Sequence, residues 1–257
     1  MSKIEEISNF MIDQHIKNNR YKNLPEGLKP KNIEEAYLAQ NSFHKNIGRG
    51  ELGGYKIALA SKIQQELCKI DHPIAGAIFK NEIHNSPCKI KMDDFPGLGL
   101  EFELAMEISN DLSKDVGHFN KDNVKEYISN VYAAFEMIID RGADYDNIDP
   151  YSMVADNAWC GGIVLGNPIQ DWKKINYHEQ KSVLYWNNEN PQHAKVNDSN
   201  PFESLAWVLN LKLSQNIVIP KGSKIITGSV IKTRAPKKGD KIIYKISELS
   251  SVEIEIY

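Results

Sequence analysis

Between Leu98 and Ile108 the chain alternates strictly, with Leu98, Leu100, Phe102, Leu104, Met106 and Ile108 on one side and Gly99, Glu101, Glu103, Ala105 and Glu107 on the other. That period of two predicts a strand with one apolar face. The segment VYAAFEMIID, residues 131–140, is apolar on both sides of Glu136 and predicts a strand inside a sheet. Upstream the period is helical over the first 50 residues. Asn32 with Glu35 reads as a capping box for a helix carrying Ile33, Ala36, Tyr37 and Phe43, and Ser61 with Gln64 as the cap of a short helix through Leu67. YKIALA, opened by Gly53 and Gly54, and HPIAGAIF read as extended pieces. Residues 109–121 read as polar loop, 122–130 as helix, 140–153 as an Asp- and Asn-rich loop, and 172–197 as holding two polar strands. Asn200, Pro201 and Glu203 supply a cap, an N1 proline and an N3 carboxylate for a helix with Phe202, Leu205, Ala206, Leu209 and Leu213 on its apolar face. KIITGSV, KIIYKI and VEIEIY close the chain as strands. Helices come first, then a strand-dominated body.

Glu101, Glu103 and Glu136 are acids in core-like company. Glu101 and Glu103 share a strand face about 7 Å apart, so their carboxylates can converge. An acidic strand face in water would satisfy those two, but Glu136 has no wet side to turn to, and a lone buried carboxylate costs several kcal/mol or shifts its pKa upward. An Arg or Lys partner would satisfy it, as would a metal ion. If all three share a site, their mutual repulsion requires a cation. An all-oxygen set favours Mg²⁺ or Mn²⁺ over zinc and leaves about three octahedral positions for water or a bidentate ligand such as a 2-oxo acid. Lys56 shares its strand face with Ala58 and Ala60, small neighbours that leave room for a ligand. It reads either as an exposed lysine or as a proton-moving group beside that ion.

Composition sets mild limits. The 257 residues, 41% of them hydrophobic, suffice for one large domain or two small ones with a proper core. With 34 acidic against 31 basic residues and no basic block, nucleic acid and anionic membrane are not expected partners. No stretch approaches the ~18 apolar residues of a membrane span, and the first 22 residues are broken by charge too often for a secretory signal, so a cytoplasmic location is expected. Cys68, Cys88 and Cys160 lack CxxC spacing and suggest neither a disulfide framework nor a zinc site.

The ordered set AYLAQ (36–40), GYKIALAS (54–61), EFELA (101–105), FEMIIDRGADY (135–145), VADNAWCGGIVLG (154–166) and IPKGSKIITGS (219–229) resembles the 2-oxopent-4-enoate hydratase and 4-oxalocrotonate decarboxylase family. This is a branch of the fumarylacetoacetate hydrolase superfamily, and the resemblance spans nearly the whole chain. It implies an α+β fold, an N-terminal helical α/β portion over residues 1–70 joined to a metal-binding mixed β-roll over 71–257. It also implies a homo-oligomer, a Mg²⁺ or Mn²⁺ cofactor on Glu101, Glu103 and Glu136, a catalytic Lys56, and a substrate pocket including Ile74, Asp156, Trp159 and Thr227.

Two positions depart from the hydratase pattern. Ile74 stands where relatives carry an acid, and Trp159 where they carry a serine. The decarboxylase branch resembles this chain at the first position only. The His-Pro of relatives before the late helix is here Asn200 and Pro201. The resemblance therefore implies a divalent-metal-dependent lyase on a small 2-oxo acid, with a hydratase expected first. A decarboxylase is the alternative, and a metabolite-binding paralogue without turnover is a third class. A hydrolase would need a His with a carboxylate partner, and no histidine is singled out by the sequence.

Overall fold

A computed structural model describes residues 1–257. Two helices, α1 (Lys3–Ile16) and α2 (Ile33–Asn46), lead the chain. Both start where local chemistry stops the backbone from fraying. Ser2 forms a reciprocal capping box with Glu5, and the Asn32 side chain accepts from the Glu35 amide, one arm of the box expected there, while the Glu35 carboxylate bonds the Lys31 amide instead of closing the box. Strand β1 (Leu52–Ala58) follows, then α3 (Lys62–Leu67) with both arms of the Ser61–Gln64 box in place. Next come β2 (Ile74–Phe79), the short β3 (Ile83–Asn85) and β4 (Cys88–Ile90), and the long pair β5 (Leu98–Ile108) and β6 (Ile128–Ile139). A short helix α4 (Pro150–Ala155) leads to β7 (Cys160–Pro168), then β8 (Lys181–Trp186), β9 (Gln192–Lys195), α5 (Pro201–Ser214), β10 (Lys224–Ile226), β11 (Lys241–Ile246) and β12 (Ser250–Ile256).

Several boundaries differ from the sequence reading. The expected helix over 122–130 is a 3-10 turn at Asn123–Tyr127 that passes at Ile128 into β6, because Val131, Ala133 and Phe135 must reach the core on the strand period. The loop expected over 140–153 ends in α4, which Asp149 caps and Pro150 opens. Asn200 does not cap α5 with its side chain but sits at φ 46°, and Phe202 is only half-buried while Val208 and Lys212 point inward. KIITGSV is a strand only over Lys224–Ile226, since the chain then leaves the sheet to run beside β5 as a strap.

The larger sheet has the order β2-β1-β10-β5-β6-β7-β3 and the smaller β4-β12-β11-β8-β9. The larger sheet curls, and β2 comes to pack against β7. The register fixes which residues line the inside of this roll. Glu101 lies directly opposite Glu136, Glu103 opposite Ala134, and Ala105 opposite Tyr132, while on the other arm Lys56 lies opposite Gly76 and Ala58 opposite Ile74. Ile78, Ala105, Ala134, Cys160, Ile163, Leu165 and Ile226 form a small apolar plug inside the roll. The opposite face of β5 and β6 packs on the smaller sheet. There Phe102 lies 5.8 Å from both the Phe135 and Tyr244 rings and 6.5 Å from Trp186, all four buried. Truncating a phenylalanine in such a core costs about 3–5 kcal/mol, so this cluster pins the two strands that carry the acids.

α1 and α2 pack on each other and on α4, around Ile7, Met11, Leu24, Ala39, Phe43 and Ala155. A separate cluster of Tyr21, Tyr37, Leu59, Ile74, Met153 and Trp159, flanked by Ala58 and Ile138, closes one end of the roll. No helix is long and apolar enough to cross a membrane.

Candidate metal centre and substrate pocket

Alternation along β5 and the β5–β6 register bring Glu101, Glu103 and Glu136 to one point. One carboxylate oxygen from each lies within 4.8 Å of the others. Glu103 and Glu136 are fully buried, and Glu101 is half-buried at the mouth. Each acid is held through one oxygen. Thr233 Oγ1 donates to Glu101 Oε1 at 2.5 Å, the Gly228 amide donates to Glu103 Oε2 at 2.7 Å, and Lys56 Nζ lies 2.8 Å from Glu136 Oε1. The lysine and Glu136 form a buried ion pair. Glu103 Oε1 and Glu136 Oε2 have no hydrogen-bond donor, and Glu136 Oε1 has only the lysine. Buried acceptors are rarely left this way, and hard oxygens converging from three carboxylates suit a hard divalent cation. The residues fit the ion that the sequence pattern implies.

Electrostatics sharpen the point. Burial, then the charges of Glu136 and Glu101, push the Glu103 carboxyl well above its ordinary range. Burial also pushes Glu136 up to about 7, against the opposing pull of Lys56. Burial alone would lower the Lys56 amine, but Glu136 and Glu101 outweigh it and hold the ammonium above its usual value. One lysine does not neutralise three carboxylates. Glu107, the next acid on the same face of β5, shows the contrast. Tyr132, Asn130 and Lys224 satisfy it at 2.5, 3.1 and 3.1 Å, so it needs no ion.

The other residues expected at the pocket fall into two groups. Ile74 and Trp159 belong to the apolar cluster that abuts this face of the roll through Ala58 and Ile138. Trp159 is 3% exposed and packs edge-on to Tyr21 at 5.1 Å and against Tyr145 at 5.6 Å. Tyr145 is exposed and bonded to Asp140, and its phenol is raised by burial, by that bond and by the Asp140 and Glu101 charges. Asp156 and Thr227 are fully buried; the Thr227 hydroxyl and one Asp156 oxygen are engaged by protein, while Asp156 Oδ2 has no hydrogen-bond donor. Asp156 Oδ1 accepts from Arg141 at 2.6 Å and meets His15 at 3.1 Å. Burial opposes that charge, but His15 and Arg141 outweigh it and keep the carboxyl below its ordinary range. Thr227 Oγ1 donates to the Leu104 carbonyl at 2.9 Å.

Trp159 is carried by an unusual turn. Asn157, Ala158 and Trp159 all have left-handed backbone, at φ 65°, 50° and 59°. Such conformations cost on the order of 1–3 kcal/mol each for residues with side chains, so something must over-determine them. Asn157 does. Its amide accepts from the Ala77 N–H at 2.7 Å and from His44 Nε2 at 2.8 Å, and donates to the Ala77 carbonyl at 2.9 Å. Burial holds His44 neutral, down to about 3, so the imidazole serves as a fixed N–H donor. At Gly76 a Cβ would meet the Asn157 carbonyl at 2.4 Å, so only glycine allows β2 this close to the turn.

Thr233, Gly228, Tyr145 and His44 were not singled out by the sequence. Their local patterns are ordinary, and only long-range contacts give them a role.

No protein-family model matches the chain. Over 234 residues it is 27% identical to the 2-oxo-hept-4-ene-1,7-dioate hydratase of Escherichia coli, covering 86% of this chain and 85% of that protein. Its fold is similar to that of 4-oxalocrotonate decarboxylase from Pseudomonas putida G7 in complex with magnesium and adipate, at TM-score 0.88, 20% identity and coverage of 99% and 97% of the two chains. These likenesses agree with the resemblance of the sequence motifs to the 2-oxopent-4-enoate hydratase and 4-oxalocrotonate decarboxylase family. A fumarylacetoacetate hydrolase family protein from Yersinia pestis CO92 shares the fold more distantly, at TM-score 0.56, 14% identity and coverage of 79% and 92%. The shared fold agrees with the α+β architecture and the rolled sheet described above.

Proposed function

We propose that this protein is a divalent-metal-dependent hydro-lyase that adds water to a small 2-hydroxydienoic (2-oxo) acid, with Glu101, Glu103 and Glu136 as metal ligands and Lys56 as the catalytic proton carrier. The convergence of three buried oxygen ligands beside a buried lysine carries the reading. A bound Mg²⁺ or Mn²⁺ would supply Lewis acidity toward a substrate carboxylate and 2-oxo oxygen and would offset the excess negative charge. The residues supply the rest. The glutamates would hold the ion and so set where the reacting end of the substrate lies, and Ile74 and Trp159 exclude water from its far end. Lys56 Nζ holds a proton within the buried face and delivers it to the terminal carbon of the dienol. Loss of the enol O–H proton balances that step and leaves an αβ-unsaturated 2-oxo acid. Water then adds across the double bond, its oxygen to C4 and its proton to C3, giving a 4-hydroxy-2-oxo acid.

The Escherichia coli relative is a hydratase, which supports hydration, and its name specifies a dicarboxylate. In this chain the apolar setting of Ile74 and Trp159 favours a short or apolar-tailed monocarboxylate instead. The second reading is a decarboxylase, favoured by Ile74, since the decarboxylase branch resembles this chain there. A homo-oligomer is part of the proposal in either case.

The test is turnover of a panel of 2-oxo and 2-hydroxydienoic acids with Mg²⁺ and with Mn²⁺, followed by dienol absorbance and CO2 release. Dienol loss without CO2 supports the hydratase, and CO2 release supports the decarboxylase. Tight metal and ligand binding without turnover would replace both by a metabolite-binding role.

A further inference from the structure

The three acids are not equally constrained. Glu103 and Glu136 are locked by burial, but Glu101 stands half-exposed at the mouth, where a side chain keeps rotamer freedom unless something holds it. The strap that follows β10 does so. It is fastened along β5 at several points. Thr227 Oγ1 donates to the Leu104 carbonyl, Ser229 Oγ accepts from the Phe102 amide at 2.8 Å, and the Val230 amide donates to the Phe102 carbonyl at 3.2 Å. Leu100 and Arg234 exchange both backbone hydrogen bonds, at 2.8 and 3.1 Å. The Arg234 guanidinium then stacks 4.1 Å from the Trp186 ring and bonds Glu189 at 2.9 Å, tying the end of the strap to the smaller sheet.

Thr233 lies between those anchors, so its hydroxyl is delivered to Glu101 by backbone that cannot drift. Its Oγ1 donates at 2.5 Å to one carboxylate oxygen and leaves the other free. Gly99 makes room. A Cβ there would sit 3.0 Å from Thr233 Cγ2, tight enough to press the threonine away.

Building on the metal-site reading above, we infer that Thr233 is a positioning residue that orients Glu101 for metal binding, and that the strap from Thr227 to Arg234 is a clamp on the two acids of β5. Hydrogen-bonded supports of a metal ligand are worth about 10–100-fold in affinity, and the hydroxyl is the group that matters here.

The experiment titrates Mn²⁺ into the metal-depleted full-length protein and reads free Mn²⁺ by electron paramagnetic resonance. The wild type is compared with Thr233→Val, which keeps the shape without the donor, Thr233→Ser, which keeps the donor, and Glu101→Gln. The expected result is at least about a 10-fold weaker Kd for Thr233→Val and recovery to within about threefold for Thr233→Ser. The melting temperatures of the metal-free proteins should stay together. Should the valine variant unfold, Thr233→Ala replaces it against the same serine control. Wild-type affinity in Thr233→Val while Glu101→Gln loses binding would overturn the Thr233 inference and leave the metal site standing. Equal losses in the valine and serine variants would also overturn it, assigning the effect to methyl packing. Undiminished binding in Glu101→Gln would remove the metal-site reading itself.

Discussion

Lys56 and Glu136 meet at 2.8 Å although β10 and β5 separate their strands in the order of the sheet. Both side chains are fully buried, and the curl of the sheet brings them together inside the roll. The lysine is therefore neither an exposed charge nor a partner sufficient for the acids. It is the single cation among three carboxylates.

Lys56→Met should lower kcat by ~10²–10⁴-fold, the usual contribution of a general acid or base, with a smaller change in KM. The structure adds a stability cost. Removing one member of a buried pair typically costs ~3–5 kcal/mol, and a metal ion on Glu136 should reduce that penalty. Steady-state kinetics and thermal melts with and without Mg²⁺ check both points. A kcat loss below about threefold would return Lys56 to a structural role.

Metal affinity should fall with acidification. The folded protein holds Glu136 at about 7 and Glu103 above its usual range, against an ordinary value of 4.5 for either. The metal competes with those protons, so the Kd for Mg²⁺ should weaken by at least roughly tenfold from pH 7 to pH 6. Stability of the metal-free protein has the opposite sign. With folded values raised, the native state binds more protons than the unfolded chain, so stability is greatest below pH 4.5 on account of these groups and is lost as the pH rises through about 7. Metal titrations and melts across pH 5–8 test this. A pH-independent Kd would rule it out.

The substrate tail should follow the apolar wall. A second carboxylate beside Ile74 and Trp159 would be desolvated without a partner, so kcat/KM should favour an apolar-tailed monocarboxylate over a dicarboxylate by at least ~10-fold, or ~1.4 kcal/mol. Trp159→Phe, milder in this buried setting than Trp159→Ser, separates packing from pocket shape. Competition assays on wild type and both variants decide the matter. Equal use of the dicarboxylate by wild type would end the apolar-wall claim, and an unchanged preference in both variants would assign Trp159 to packing alone.

Lys212 offers a test away from the acids. Its ammonium is buried on α5 over the Tyr37 and Tyr55 rings at 4.9 and 5.1 Å, with Gln40 Oε1 at 3.5 Å and no carboxylate partner. Burial lowers its amine to about 7. Since the folded value is depressed, the unfolded chain binds the extra proton between pH 7 and 10.5, and stability should rise with pH across that window. Lys212→Met should abolish that rise and stabilise the protein at pH 7 or below by about 1 kcal/mol or more. Chemical denaturation at pH 7 and pH 9 is the measurement, and a destabilised methionine variant would contradict it.

Local pattern was enough for the helical start, the strand-rich body, the caps at Ser61 and Asn32, and the three acids with Lys56. These were legible because alternation, capping and an acid in an apolar run are local patterns with local physical causes. The β5 alternation also placed Glu101 and Glu103 on one face before any fold was known. The tertiary structure alone decided that this face is the inside of a roll, because the same alternation suits an acidic face in water and only the curl that seats β2 against β7 removes the solvent. It also decided the supports. Thr233 reaches Glu101 across 132 positions of chain, and Asn157 bolts a left-handed turn to β2 across 80. No periodicity records such pairs. Their partners are chosen by where the folded backbone brings them, which is also why Asn200, a cap by its neighbours, instead adopts a left-handed conformation and makes no side-chain bond at the helix start.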